Sequence, residues 1–385
     1  MMDTLLIAVV LFALLFDFTN GFHDTANAIA TSIATKAVSP KVAVIAAAIL
    51  NFLGAFVSLE VAATVAKGIV MPEAISLQVV LAGVIAATIW NITTWRFGLP
   101  TSSSHALIGG VAGAAIVSAG WNIIAWDGLR EKVLIPSLAA PLLGVAGAFV
   151  VMLILFWFMR HKITAGKEHL FRRLQLISGS FVAFTHGTND AQKTMGIITL
   201  ALLAGHADKA FEVPLWVIIS SASAMALGTY LGGWRIIHTL GHKLVKLESP
   251  QGFAAETTTA TLLGISAHFG FPVSTTHTIS GSIMGAGLAD GKSKIRWKVT
   301  RHILLAWVIT IPCVAVVGAG MELISRVTGS SIIVIALAIL IALSILVTRN
   351  WTWESTAQLR ARLNLVQKIS KRRSARIQPQ KETPS

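Results

Sequence analysis

Long hydrophobic runs fill most of the chain, and short polar segments separate them. A run of about 20 apolar residues can cross ~30 Å of hydrocarbon as a helix. Such runs lie near residues 5–34, 42–64, 75–95, 100–118, 133–158, 178–203, 213–234, 253–268, 272–289 and 300–323, with one more near 331–347. The pattern predicts an all-α polytopic membrane protein with about 10–12 transmembrane segments.

Two motifs occur twice along the chain, in the same order. FTNGFHD, which begins at Phe18, returns as FTHGTND from Phe184. FGLPTSSSHALIGG, which begins at Phe97, returns as FGFPVSTTHTISGS from Phe269. The similar spacing of the two pairs indicates an internal duplication. With five crossings in each half, the repeats are inverted, and such repeats usually build one site at their interface, near the middle of the membrane.

The duplication divides the chain into five segments. We predict a first transmembrane repeat at 1–159, a cytoplasmic basic linker at 160–177, a second, inverted repeat at 178–324, an extra C-terminal transmembrane helix at 325–348 and a basic cytoplasmic tail at 349–385. An alternative concerns 97–118 and 269–289. If these segments are re-entrant hairpins instead of spans, the number of crossings changes.

Composition and charge support a membrane protein with a defined orientation. Hydrophobic residues make up 54% of the chain and charged residues 12%, against roughly 25% charged in soluble domains. The basic residues lie between the apolar runs and in the tail, so the high pI does not indicate nucleic-acid binding. Alternate loops carry 25 and 5 Lys and Arg residues. Because positive loops face the cytoplasm, we expect a cytoplasmic C-terminus and an external N-terminus.

The first repeated motif carries charge into an apolar run. Placing a charged group in a bilayer costs at least ~2.5–3.5 kcal/mol, so Asp24 and Asp190, which occupy equivalent positions, need a function. Nearby glycines and asparagines favour turns over helix, and we therefore expect broken helices at 20–24 and 186–190. Helix capping is the alternative role for each aspartate. The predicted site for a coupling ion or proton consists of Asp24, Asp190, Asn20, Asn27 and Lys193.

The second repeated motif places hydroxyl groups behind a proline. Pro100 and Pro272 suit the first turn of a new helix, where unpaired N–H groups and the helix dipole favour an anion. The predicted oxyanion-binding residues are Ser102, Ser103, Ser104, Ser274, Thr275 and Thr276, with Asn189 and Gln192 nearby. Ordinary N-capping or helix packing is the alternative for a single hydroxyl.

Other polar residues surround these two sets. His105 and His277 follow the hydroxyl clusters, and together with Glu256 we expect them to support the site from behind; hydrogen-bonded packing is the alternative role for each histidine. Lys193 follows Asp190 by three residues, so the two can pair on a helix, although a lysine can also extend to the headgroups. The sequence contains no dedicated metal-ligand spacing and indicates no cofactor.

Four blocks of sequence resemble the inorganic phosphate transporter (PiT) family over nearly the whole chain. They are NGFHDTANA at 20–28, WNITTWRFGLPTSSSH at 90–105, HGTNDAQKTMG at 186–196 and GFPVSTTH at 270–277. The similarity is greatest to bacterial low-affinity members that move phosphate, often as a metal–phosphate complex, with protons. The chain departs from the longer bacterial forms because it lacks a large central hydrophilic insertion.

The resemblance implies a secondary transporter in the bacterial inner membrane, not an enzyme. It implies import of inorganic phosphate, either free or as a neutral metal–phosphate complex, by proton symport, and a homodimer in the lipid bilayer. A sodium-coupled phosphate symporter and a sulfate permease of the same fold are the alternatives. An intramembrane hydrolase that uses Ser102 and His105, and a channel, are the alternatives from other classes.

Overall fold

The chain folds into helices. The computed structural model describes residues 2–68, 75–159, 165–204, 211–291 and 295–347. The α-helices are α1 Met2–Ala34, α2 Pro40–Gly54, α3 Glu60–Lys67, α4 Leu77–Phe97, α5 Ser103–Ala119, α6 Trp126–Gly128, α7 Ile135–Phe158, α8 Ala165–Leu203, α9 Leu215–Leu231, α10 Trp234–His238, α11 Ser249–His268, α12 Thr275–Ala289, α13 Trp297–Thr328 and α14 Ser331–Val347. Within these ranges there is no strand, only an isolated bridge between Val245 and Ile295. The predicted all-α class is confirmed.

The chain divides into two units, 1–338 and 339–385. The first contains α1–α13 and the start of α14. Of the second, the structure describes the last turns of α14. The predicted tail at 349–385 lies outside the described residues, and its cytoplasmic position stays a prediction.

Several helices have the length and apolarity of a membrane span. Among the described residues, four satisfy both criteria: Thr4–Ala34, Leu77–Phe97, Trp126–Phe158 and Trp297–Thr328. A fifth span results if the pair Leu215–Leu231 and Trp234–Leu244, bent by 58°, is counted as one. The other apolar segments form helices that are shorter or more polar than a simple span.

The predicted breaks in α1 and α8 are wrong, because both helices continue through the aspartates. The reason lies in the glycines. A methyl group at Gly21 would meet the backbone oxygen of Met225 on α9, and one at Gly187 would meet that of Asn51 on α2. The glycines therefore allow close helix packing rather than a turn.

Three boundaries also differ from those predicted. The single run at 42–64 is two helices, α2 and α3. The predicted linker at 160–177 is helical from Ala165, where α8 begins. α13 extends to Thr328, beyond the apolar run at 300–323, and Gly329 adopts a left-handed conformation at the helix end; the bounds of the second repeat stay a prediction.

Helices from the two halves of the chain pack against each other. α5, in the first half, packs against α13 of the second, and α12, in the second half, packs against α7 of the first. Glycines allow both contacts: Gly109 and Gly113 face Ile311 and Ala315, and Gly281 and Gly285 face Pro141 and Val145. The equivalent positions of these glycines agree with the duplication, whereas the inverted orientation of the repeats stays a prediction.

Two helical hairpins deliver the hydroxyl clusters to one place. α4 ends at Phe97 and α11 at His268, and the glycines that follow, Gly98 and Gly270, have positive φ, at 65° and 70°. α5 and α12 then begin after Pro100 and Pro272. The prolines precede the helices by several residues instead of standing in their first turn, which corrects the prediction.

Candidate functional site

Asp24 is buried on α1 and is surrounded by hydroxyl groups and an imidazole. Ser103 donates to Asp24 Oδ2 at 2.8 Å, and Thr276 donates to Oδ1 at 3.2 Å. His23 Nδ1 lies 2.8 Å from the same Oδ1. Because Ser103 belongs to the first hairpin and Thr276 to the second, both hairpin tips meet at this carboxylate.

Asp190, the equivalent residue on α8, contacts an ammonium group. Lys193 donates to Asp190 Oδ1 at 2.7 Å, and both side chains are 1% exposed. Thr275 donates to the same oxygen at 3.0 Å. His186 Nε2 lies 3.6 Å from Oδ2. The structure thus contains the ion pair that the three-residue spacing predicted, within the packed interior.

Two asparagines connect the carboxylates to the hydroxyl groups. Asn20 accepts a hydrogen bond from Ser103 at 2.6 Å, and its Nδ2 lies 3.4 Å from Asp190 Oδ2. Asn27 donates to Thr276 at 2.9 Å. The fold therefore brings the predicted coupling residues and part of the predicted hydroxyl set into one cluster.

The hydroxyl groups divide into two sets. Ser103, Thr275 and Thr276 donate to the aspartates. Ser102 and Ser274 instead accept from the backbone N–H of His105 at 3.1 Å and of His277 at 3.3 Å, as N-caps of α5 and α12. The alternative of N-capping thus holds for these two serines. Ser104 is buried in the first turn of α5.

Two amide side chains beside Asp190 take part in the surrounding scaffold. Asn189 Nδ2 donates to the backbone oxygen of Phe271 at 3.2 Å, and its own Oδ1 is buried without a partner among the described residues. Gln192 accepts from the N–H groups of Val61 and Ala62 at 2.8 and 3.2 Å, at the start of α3. Gln192 thus fastens α3 to α8, and its place in the oxyanion cage stays a prediction.

The two predicted supporting histidines meet each other. The rings of His105 and His277 are edge to face, with centroids 4.8 Å apart. His105 Nε2 lies 2.6 Å from Ser137 Oγ, and His277 stacks on Trp307 at 4.0 Å. They join the two repeats directly behind the hydroxyl clusters.

Glu256, the third predicted supporting residue, lies fully buried on α11. Thr31 and Ser32 each donate to its Oε1 at 2.6 Å, and Gln175 donates to the same oxygen at 3.2 Å. Ser178 donates to Oε2 at 2.6 Å. This carboxylate connects α1 and α8 at a level separate from Asp24 and Asp190.

Three residues of the cluster could share a cation. Ligand atoms of Asp24, His186 and Asp190 lie within 4.8 Å of one another. Two carboxylates and an imidazole suit several divalent metals. Asp24 lies more than 160 positions before His186 and Asp190 in the chain, so sequence spacing could not indicate the whole group.

Asp17 is a site residue that the sequence analysis missed. It lies on α1 three residues before Asn20 and is fully buried. Neither of its carboxylate oxygens has a hydrogen-bond partner among the described residues. An acidic residue inside the first apolar run was the available signal, because ionisable groups at such positions are usually functional.

Comparison with known proteins identifies relatives over most of the chain. Residues 20–318 match the model of the phosphate transporter family. A probable low-affinity inorganic phosphate transporter of Mycobacterium tuberculosis (strain ATCC 25618 / H37Rv) is 49% identical over 82% of this chain and 76% of its own. One of Bacillus subtilis (strain 168), with the same description, is 43% identical over 83% and 97%.

A solved structure has a similar fold. It is described as the sodium-dependent phosphate transporter and superposes with a TM-score of 0.76, covering 84% of this chain and 99% of its own. The two sequences are 24% identical. At this identity the likeness concerns the fold.

Proposed function

Because the chain belongs to the phosphate transporter family, we propose that it imports inorganic phosphate across the plasma membrane by proton symport. The supporting observation is that the hydroxyl donors converge on two buried carboxylates, Asp24 and Asp190. An anion near these groups needs compensating positive charge, because repulsion between like charges is strong in a low-dielectric interior. Phosphate and its coupling ion therefore share one site.

The Lys193–Asp190 pair supports a proton over sodium as that ion. A fixed ammonium 2.7 Å from Asp190 occupies the electrostatic position that a bound sodium ion would otherwise take. With that position filled, a proton on Asp24, on another carboxyl of the cluster or on phosphate itself supplies the remaining positive charge.

A complex of phosphate with a divalent metal is a second form of the cargo. The group of Asp24, His186 and Asp190 supports this form, since its carboxylate and imidazole atoms are close enough to approach one cation together. In a neutral metal–phosphate complex the metal compensates the anion. The metal is then substrate, not a resident cofactor.

The hydrolase alternative has no support in the site. The hydroxyl of Ser102 caps the backbone N–H of His105, and the His105 ring contacts Ser137. A nucleophilic serine needs a hydrogen bond to the imidazole that acts as its base. The protein is a transporter, and we propose no enzymatic step.

The deciding experiment measures uptake of labelled phosphate by purified protein in proteoliposomes. Sodium and pH gradients are imposed separately. We expect uptake to rise with an inward proton gradient, to be the same in sodium, potassium or choline, and to collapse with a protonophore. Sodium-stimulated uptake that survives the protonophore would reject proton coupling. Unlabelled sulfate as competitor separates a phosphate carrier from a sulfate permease, and uptake with and without Mg²⁺ tests the metal–phosphate form.

We also propose a cytoplasmic C-terminus, an external N-terminus and a homodimer. The 25-to-5 distribution of Lys and Arg over alternate loops supports this orientation. A cysteine at Ser374, with the exposed native Cys313 replaced by serine, should resist an impermeant thiol reagent until cells are permeabilised. Labelling in intact cells would invert the topology. The mass of the detergent-solubilised protein by light scattering tests the dimer.

A further inference from the structure

Two ionisable residues of the central cluster break the symmetry of the repeats. Asp17 corresponds to Ala183 in the second half, and Lys193 corresponds to Asn27 in the first. Ala183 is buried like Asp17, so the packing of the repeat does not require a carboxylate there. The duplicated scaffold thus carries one carboxyl group and one amine at positions where the other repeat has a neutral residue.

Asp17 and Lys193 lie on two helices, α1 and α8, that pack against each other. Asp17 lies on α1 one turn before Asn20 and two turns before Asp24, so the three share a face of the helix. The charged groups that act on it electrostatically, Lys193 and Asp190, both lie on α8, which packs against α1. The acid and the base therefore share one side of the cluster.

Asp17 has only neutral donors near it. Both of its oxygens are buried and make no close hydrogen bond in the described part of the chain, and the nearest donors are the side chains of Thr194 and Asn20. The other helices packed along α1 include α4 and α9, whose sequences contain Arg96 and Tyr230 as their ionisable residues. Lys193 is therefore the cation placed to serve Asp17.

We propose that Asp17 is the carboxyl that carries the transported proton, and that Lys193 controls its release by exchanging between Asp190 and Asp17. This inference rests on the proposed proton symport. An ionised carboxylate that is buried without a donor or counter-ion is strongly unfavourable, and a bound proton removes that penalty. While Lys193 pairs with Asp190, Asp17 holds a proton taken up from the outer side.

Release follows when the ammonium turns from Asp190 to Asp17. The Asp17 O–H bond then breaks, the carboxylate keeps the electron pair, and the proton leaves to the cytoplasmic side. The ammonium keeps its own protons throughout. One proton crosses in each cycle through Asp17, and the ammonium then returns to Asp190.

The test separates net uptake from exchange. Exchange of labelled for unlabelled phosphate at equal pH does not require the carrier to release its proton, whereas uptake driven by a pH gradient does. We expect Asp17→Asn to lose pH-driven uptake while it still exchanges phosphate, and to carry fewer protons per phosphate, measured with an internal pH dye. Asp17→Glu should restore pH-driven uptake. Asp127→Asn, outside the site on α6, is the matched control and should behave like wild type.

The outcomes distinguish the two proposals. If the wild-type protein shows no pH-driven uptake, proton symport itself fails. If wild type is proton-driven and Asp17→Asn keeps pH-driven uptake with wild-type proton stoichiometry, only the role of Asp17 fails. Loss of exchange together with uptake in an inserted, folded Asp17→Asn protein would also overturn that role.

A second variant tests the proposal if Asp17→Asn inserts poorly into the membrane. Asp17→Ala introduces the residue that the second repeat uses at this place, and it should give the same separation of exchange from net uptake. If neither neutral variant inserts, Asp17→Glu decides. Its longer carboxyl should shift the pH midpoint of net uptake without shifting that of exchange, and an unchanged midpoint would overturn the proposal.

Discussion

Asp24 and Asp190 occupy the same position in two copies of one motif, yet their surroundings differ in charge. Around Asp24 the hydrogen-bond partners are the hydroxyls of Ser103 and Thr276 and the ring of His23. Beside Asp190 stands the ammonium of Lys193. A duplicated scaffold has thus produced one carboxylate that pairs with a lysine ammonium and one whose partners are hydroxyl groups and an imidazole.

The difference comes from one repeated position. Asn27 and Lys193 are equivalent, but Asn27 reaches Asp24 only through Thr276, to which it donates. The longer Lys193 contacts Asp190 directly. A neutral amide relays a hydrogen bond, whereas an ammonium cancels a charge. We infer that the two halves divide the work, with Asp190 held in place and Asp24 available to the transported species.

Removing either charge should have the largest effect. We expect Asp24→Asn and Asp190→Asn each to abolish gradient-driven phosphate uptake, because the amide keeps the shape of the carboxyl but can hold neither a proton nor a cation. Accumulation of labelled phosphate in cells, at matched levels of membrane protein, measures this. Accumulation at the wild-type rate in either variant would remove that residue from the coupling role.

Breaking the ion pair should also lower stability, in addition to its effect on proton-driven uptake. Lys193→Gln leaves Asp190 as a buried charge without its counter-ion, which costs about 3–5 kcal/mol. We expect a clearly lower melting temperature in detergent than for wild type. The double variant Lys193→Gln with Asp190→Asn should recover much of the loss, because no unpaired charge remains. Strictly additive losses would show that the pair is not energetically coupled.

Removing a hydroxyl that donates to Asp24 should have the next largest effect, on phosphate binding. Ser103→Ala and Thr276→Ala each remove a buried donor, which weakens binding to a charged acceptor by about 1.5–3 kcal/mol, or roughly tenfold or more in half-saturation. Ser102→Ala is the neighbouring control. Its hydroxyl caps α5, so it should cost about 0.5–2 kcal/mol of stability with little change in half-saturation. Unchanged uptake in the Ser103 and Thr276 single variants and in their double would contradict the assignment.

The features that could be predicted from sequence depend on local pattern or on the duplication. Apolar runs predicted most helices to within a few residues, and the three-residue spacing of Asp190 and Lys193 predicted their pair. The predicted breaks at Gly21 and Gly187 failed because a glycine that admits a neighbouring backbone resembles, in sequence, one that ends a helix. Whether a glycine packs against a neighbouring helix or ends its own depends on residues such as Met225, which lie far along the chain.

Contacts between distant segments account for the remaining differences. Gln192 follows the motif at Asp190, but its amide caps α3 through Val61, about 130 positions earlier. Asp17 belongs to the site because α8 packs beside α1, and the motif begins one residue after it. Neither relation appears in any local spacing, and the duplication could not reveal Asp17 because its counterpart is an alanine.

The smallest effect should come from the hydroxyl beside the compensated carboxylate. Thr275 is the repeat equivalent of Ser103 and donates to Asp190 at 3.0 Å. In Thr275→Ala the Lys193 ammonium remains on the same oxygen, so Asp190 stays paired and the position of the anion site changes little. We therefore expect half-saturation to rise by less than in Ser103→Ala, and Thr275→Ser to restore the wild-type value. If Thr275→Ala is impaired as strongly as Ser103→Ala in side-by-side uptake curves, the two carboxylates are equivalent and the division of roles between the halves is wrong.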